Sequence, residues 1–206
     1  MNPSDDRLNP VVLITGAACV LGAACARELA HKASGGLILV DRDERRLSAA
    51  ADAIGHAPER VSTLAFDIAD SARWDQAQDF IADQYGRLDW ALMNTGGGGE
   101  ANFAATRLAL RAAMALMRAN THGGAIVLTG EASRGAARAG LSRLTRLAAK
   151  EGAPDRIRVN AIGLAETGTP HDAPIAQDLA RLIVTLLAAT ATITGVTLVA
   201  DGADTL

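Results

Sequence analysis

The chain has 206 residues, 3% of them aromatic, with 20 Lys or Arg against 23 Asp or Glu. Domains commonly hold about 100–200 residues, so one core serves this length, built from Val, Ile, Leu and Ala. A formal charge of -3 gives no electrostatic reason to expect a nucleic-acid or anionic-membrane partner.

In chain order, Asn9–Gly16 reads as a short buried strand ending in a turn, followed by a helix over Leu21–Ala33. Gly35 and Gly36 interrupt the pattern before the strand Leu37–Val40, which ends at Asp41. A helix over Asp43–Ile54 and a strand over Val61–Phe66 come next. Asp70 or Ser71 caps a helix running toward Tyr85, and Leu88–Met93 is a fourth strand. Gly96–Gly99 read either as a flexible linker or as backbone passing close to a ligand. The pattern is helical over Glu100–Asn120 and Arg134–Lys150, with strands over Ala125–Leu128 and Ile157–Ile162. Gly163–Ala173 has the content of a loop. Gln177–Ala189 is helical, and Thr194–Ala200 is a last strand ending at Asp201-Gly202. This alternation predicts a Rossmann-like, doubly wound α/β fold with a largely parallel sheet and helices on both faces. It occupies a single domain over 1–206, with a short polar N-terminal extension of about nine residues.

That polar start argues against a secretory signal, and no apolar run reaches the roughly 18–20 residues of a membrane span. The cytoplasm is the expected location. Cys19 and Cys25 do not face each other well on a helix, so small buried side chains are expected rather than a disulfide. His31, His56, His122 and His171 have no metal-ligand spacing, and no metal is expected.

The most diagnostic stretch is Thr15-Gly16-Ala17-Ala18-Cys19-Val20-Leu21-Gly22. Gly16 permits a tight turn, Gly22 lets the next helix lie close to the sheet, and free N–H groups at that helix start can hold a pyrophosphate. Asp41, ending the following strand, can accept hydrogen bonds from ribose hydroxyls and would repel a 2′-phosphate. NAD is therefore expected in preference to NADP. The competing reading of Asp41 is a solvated strand end or helix cap.

With these residues in order, the chain resembles the short-chain dehydrogenase/reductase family. Thr15–Gly22 is similar to its TGxxxGxG turn, and Asp67-Ile68 to the pair that contacts adenine. Gly86–Asp89 precedes Met93-Asn94-Thr95-Gly96, which resembles the NNAG strand end. Arg158–Ile162 matches the RVNAI strand, and Thr194-Gly195 with Val199–Gly202 the C-terminal strand. The resemblance implies cofactor contacts from Thr15, Gly16, Gly22, Asp41, Asp67, Ile68, Asn94 and Gly96. Val20 stands where the family has its middle glycine, which puts NAD binding in question. Met93 replaces the first Asn, and Leu164-Ala165 the usual Pro-Gly.

Family reductases move a proton with a Tyr, assisted by a Lys four residues later and a Ser that binds the substrate carbonyl. Here Arg134 and Arg138 fall at the Tyr and Lys positions and Glu131 at the Ser position, with Ser133 nearby. The only tyrosine is Tyr85, and the only lysines are Lys32 and Lys150. Arginine has a pKa above about 12 and cannot cycle a proton near neutrality. The resemblance thus implies a nucleotide-binding or structural protein whose standard hydride transfer is lost. The alternative is an NAD-dependent oxidoreductase using Glu131, Ser133, Arg134 or Arg138. Glu131 with either arginine reads as an acid–base pair, an anion site or a structural ion pair. Glu100–Asn120 and Arg134–Lys150 resemble the helices through which such proteins pair, implying a homo-dimer or tetramer, or assembly with a catalytic relative.

Overall fold

Val11–Thr15 is buried at every position, as expected of a strand covered on both faces. The computed structural model describes residues 9–55, 58–95, 100–132, 135–164, 173–188 and 192–200. Over them the elements run β1 Val11–Thr15, α1 Val20–Ala30, β2 Gly36–Asp41, α2 Glu44–Asp52, β3 Val61–Ala65, α3 Ser71–Tyr85 and β4 Trp90–Asn94. There follow α4 Glu100–Met117, β5 Gly124–Glu131, α5 Gly135–Gly152, β6 Ile157–Leu164, α6 Ala173–Ala188 and β7 Thr197–Ala200.

All strand pairs are parallel, in the order β3-β2-β1-β4-β5-β6-β7. One face is covered by α1, α2 and α6, the other by α3, α4 and α5. The Rossmann-like, doubly wound fold expected from the sequence is the fold observed. Its order reverses between β1 and β4, which opens a crevice at the carboxyl ends of those strands, where ligands of such sheets bind.

Several element ends differ from the sequence pattern, for identifiable reasons. α4 stops at Met117 because the Asn120 side chain donates to the carbonyls of Leu88 (2.6 Å) and Gly123 (3.1 Å). β5 and β6 outlast their apolar runs, since their ladder continues from Gly124 opposite Ile157 to Glu131 opposite Leu164. β7 begins at Thr197 rather than Thr194, whose hydroxyl instead accepts from the Val159 N–H (3.1 Å). α1 ends at Ala30, where the N–H groups of Lys32 and Ala33 both turn to the Leu29 carbonyl (2.8 and 2.7 Å). α6 starts at Ala173, four residues before the expected Gln177.

The amino end of the sheet is tied by Asp89, a buried carboxylate. It accepts from the Val11 N–H (2.8 Å) and from Arg87 (2.6 Å), and lies 2.8 Å from His122 Nε2. Charge-assisted bonds of this kind fix the starts of β1 and β4, so their far ends are held in register. Among the described residues, no helix is long and apolar enough to cross a membrane.

Candidate nucleotide site and adjoining cleft

The carboxyl ends of β1 to β5 bring most of the expected site residues to one edge. Gly16 leaves β1 with φ +62, and a Cβ there would overlap the Asn94 carbonyl. A Cβ on Gly22 would overlap the Gly16 carbonyl, so only glycine lets α1 start this close to the turn. Cys19 has extended backbone and caps α1, its Sγ accepting from the Gly22 N–H (3.3 Å). Asn94 Nδ2 also donates to Cys19 Sγ (3.0 Å) and to the Gly16 carbonyl (3.2 Å), while Asn94 Oδ1 accepts from Thr129 Oγ1 (2.7 Å). The expectation that both cysteines are small buried packing groups is corrected for Cys19. It is half-buried and organises the loop.

The amides of this loop are largely in use. Ala17 N–H donates to the Val40 carbonyl (3.2 Å), Cys19 N–H to Gly16 (3.2 Å), and Ala18 N–H to Asp41 Oδ2 (3.0 Å). Asp41 Oδ1 accepts from Asp43 N–H (3.2 Å), and each oxygen keeps a lone pair for a further donor. Among the described residues nothing accepts from Val20 or Leu21 N–H, the first two amides of α1. They are the donors available to an anion. The Val20 side chain is 37% exposed, so it stands at the mouth of the crevice and does not fill it from within.

Other expected contacts sit differently. Thr15 is fully buried with its hydroxyl turned to the Leu92 carbonyl (3.5 Å), and Asn94 is 3% exposed, so both act by shaping the loop. Asp67 is exposed just past β3 and accepts from Ala69 N–H (2.9 Å). Ile68 is half-buried, its carbonyl taken by Trp74 Nε1–H (2.9 Å). Gly96, Ser133 and Arg134 lie outside the described residues. Arg138 is exposed in the first turn of α5, and Glu131 is half-buried at the end of β5.

Glu131 lines a cleft of about 320 Å³, open mouth included, between β4, β5, α4 and α5. Phe103, Leu141 and Leu144 form its apolar side. Its polar side is Thr95, Asn102, Thr106 and Thr129. Thr95 Oγ1 and Thr106 Oγ1 are 2.9 Å apart, and Thr106 Oγ1 also donates to the Asn102 carbonyl (2.7 Å). Among the described residues, none that lines it is Tyr, Lys, His or Cys. Apart from Glu131, these liners carry no signal in the sequence, because they come from four elements at no recurrent spacing.

Tyr85 ends α3 at the opposite edge of the sheet. Its ring lies against Gly36 at the start of β2, and its Oη is 2.7 Å from Ser62 Oγ. Lys32 follows α1 beside Glu28 and Arg181, and Lys150 is exposed in the last turn of α5. In a parallel sheet, helices run back from the carboxyl edge, so all three groups end up at the amino edge.

A family profile described as short chain dehydrogenase matches residues 10–134. The chain is 32% identical over 181 residues to the (5R,7aS)-5-hydroxy-7a-methyl-1-oxo-2,3,5,6,7,7a-hexahydro-1H-indene-carboxyl-CoA reductase of Mycobacterium tuberculosis, covering 74% of this chain and 68% of the relative. A short-chain type dehydrogenase/reductase from Mycobacterium marinum superposes with TM-score 0.82 at 22% identity over 95% of each chain. Carveol dehydrogenase from Mycobacterium avium, solved with NAD, gives TM-score 0.79 at 21% identity over 95% of this chain and 98% of its own. With the glycine turn, strand order and profile in agreement, this chain belongs to the short-chain dehydrogenase/reductase family.

Proposed function

We propose that residues 1–206 form one dinucleotide-binding unit that has lost the standard hydride transfer of its family. It binds NAD in preference to NADP and serves as a nucleotide-dependent or structural member of an assembly. The observation that carries this reading is the placement of Tyr85, Lys32 and Lys150 at the amino edge of the sheet, away from a cleft that, among the described residues, is lined by neither residue type. Carbonyl reduction needs a donor that can release a proton as charge develops on oxygen; threonine hydroxyls and a carboxylate do not match that role without help. The Asp41 carboxylate at the end of β2 and the free amides of Val20 and Leu21 support nucleotide binding. The NAD complex of carveol dehydrogenase supports it too.

The second reading is an oxidoreductase using substitute residues, favoured by Glu131 in the cleft and by the reductase activity named for the relative. Ser133, Arg134 and Arg138 are its other candidates. Calorimetric titration with NAD and NADP, paired with nicotinamide turnover across alcohols and ketones, separates the two. NAD binding without turnover is the expected result. Saturable turnover abolished by Glu131→Ala or Ser133→Ala would establish the enzyme reading instead.

A further inference from the structure

A threonine hydroxyl carries one hydrogen and two lone pairs, so once that hydrogen is donated only acceptor capacity is left. That condition holds for the three threonines of the cleft between β4, β5, α4 and α5. Thr129 Oγ1 donates to Asn94 Oδ1 (2.7 Å), and the Asn94 amide is oriented by its Nδ2 donating to the Gly16 carbonyl (3.2 Å). Thr106 Oγ1 donates to the Asn102 carbonyl (2.7 Å), which can only accept. The 2.9 Å contact between Thr95 Oγ1 and Thr106 Oγ1 must then use the Thr95 hydrogen. All three hydroxyls therefore have lone pairs to offer a ligand and no hydrogen. Glu131, half-buried in the same cleft at the end of β5, is acceptor-only when ionised. A carboxylate has about four lone-pair sites, so a ligand N–H can join the partner Glu131 already has. Among the described lining residues, Asn102 alone has side-chain N–H groups.

Acceptors gathered beside a carboxylate select a ligand that donates. A ketone or aldehyde oxygen only accepts; here it would lose its water and meet lone pairs and a negative charge. A primary ammonium reverses both conditions, bringing a positive charge and three N–H donors. The other wall of the cleft suits an organic cation better than a bare metal ion. Phe103, Leu141 and Leu144 are apolar, and by excluding water they strengthen a charged contact made beside them. Phe103 is packed on Gly140, where a Cβ would come within 2.8 Å of its ring, and an aromatic face attracts cations within about 6 Å. At about 320 Å³ with its mouth included, the cleft limits the ligand to a small one.

We propose that this cleft binds a small primary amine as its ammonium ion, the nitrogen on Glu131 and the threonine hydroxyl oxygens, the carbon chain against Phe103, Leu141 and Leu144. The inference rests on the reading that carbonyl reduction is lost, but not on nucleotide binding. Turnover tests that reading and ligand titration tests this one, so the two fail separately. Proton–nitrogen NMR of the full chain near neutral pH, without nicotinamide, follows titration with n-butylamine and with butanone, a ketone of the same number of non-hydrogen atoms. Saturable shifts at Thr95, Thr129 and Glu131 are expected with butylamine. Butanone is expected to bind at least about tenfold more weakly, the size of one charge-assisted hydrogen bond. Glu131→Gln removes the charge and supplies an N–H donor at nearly the same shape, so the preference for the amine shrinks at least about tenfold. Should that variant fail to fold by circular dichroism, Leu144→Trp, which narrows the apolar side, weakens butylamine by at least about tenfold instead. A wild type that binds butanone as tightly as butylamine overturns the proposal. So do shifts confined to residues away from the cleft, a preference unchanged in Glu131→Gln, or no saturation by butylamine up to about 0.1 M.

Discussion

At the first position of α1, Val20 sets a branched side chain beside the two amides that, among the described residues, no acceptor uses. On the proposed nucleotide-binding reading, this exposed side chain would crowd a pyrophosphate at the mouth of the crevice. Val20→Gly is expected to tighten NAD binding roughly threefold to tenfold by calorimetry. The same change costs helix stability by up to about 1 kcal/mol and lowers Tm by about 2–4 °C. A second residue-scale effect lies one turn and a half further on. Burial, with smaller contributions from Cys19 and Glu28, pushes the Cys25 thiol far above its usual range. In the unfolded chain that thiol ionises near pH 8.5, while in the folded chain it stays protonated. Its stabilising effect is therefore whole below about pH 8.5 and declines above it, by about 1.4 kcal/mol per pH unit. Denaturant titrations between about pH 9 and 11 should show a flatter loss of stability in Cys25→Ala than in the wild type.

Among the elements, β6 organises its neighbours through side chains as well as its ladder. Arg158 donates to the carbonyls of Leu186 (2.9 Å) and Leu187 (2.7 Å) in the last turn of α6. It also reaches Ile193 (3.5 Å), whose carbonyl accepts from Asn160 Nδ2 (2.9 Å) as well. Asn160 Oδ1 in turn accepts from Val196 N–H (3.2 Å), so two residues of one strand tie both the last turn of α6 and the approach to β7. Arg158→Met keeps the apolar stem but strips the Leu186 and Leu187 carbonyls of this donor, while Ile193 keeps Asn160. A loss of about 1.5–3 kcal/mol follows, seen as a Tm lower by about 2–4 °C for each kcal/mol. That strand was legible as a motif before its partners were. Its residues are contiguous in the chain, but the carbonyls they serve lie about 30 positions away, and no local pattern announces such a contact.

For the molecule as a whole, edge geometry separates chemistry from scaffold. Tyr85 spends its hydroxyl on Ser62 and its ring on Gly36, a packing role at the amino edge. Tyr85→Phe should cost about 0.5–1.5 kcal/mol of stability, measured by denaturant unfolding, with NAD affinity unchanged. A catalytic tyrosine would instead lose about 10²–10⁴ in rate on that change, if turnover is observed. The class of fold, the glycine turn and the absence of a paired Tyr and Lys were all readable from residue order, because strand–turn–helix periodicity and motif spacing are local properties. The three-dimensional packing alone decided that Cys19 caps the loop, that Asp41 and Asn94 already hold it, and which of the described residues line the cleft. Those outcomes depend on which side chains converge after distant strands pair, and convergence across a sheet has no signature along a chain.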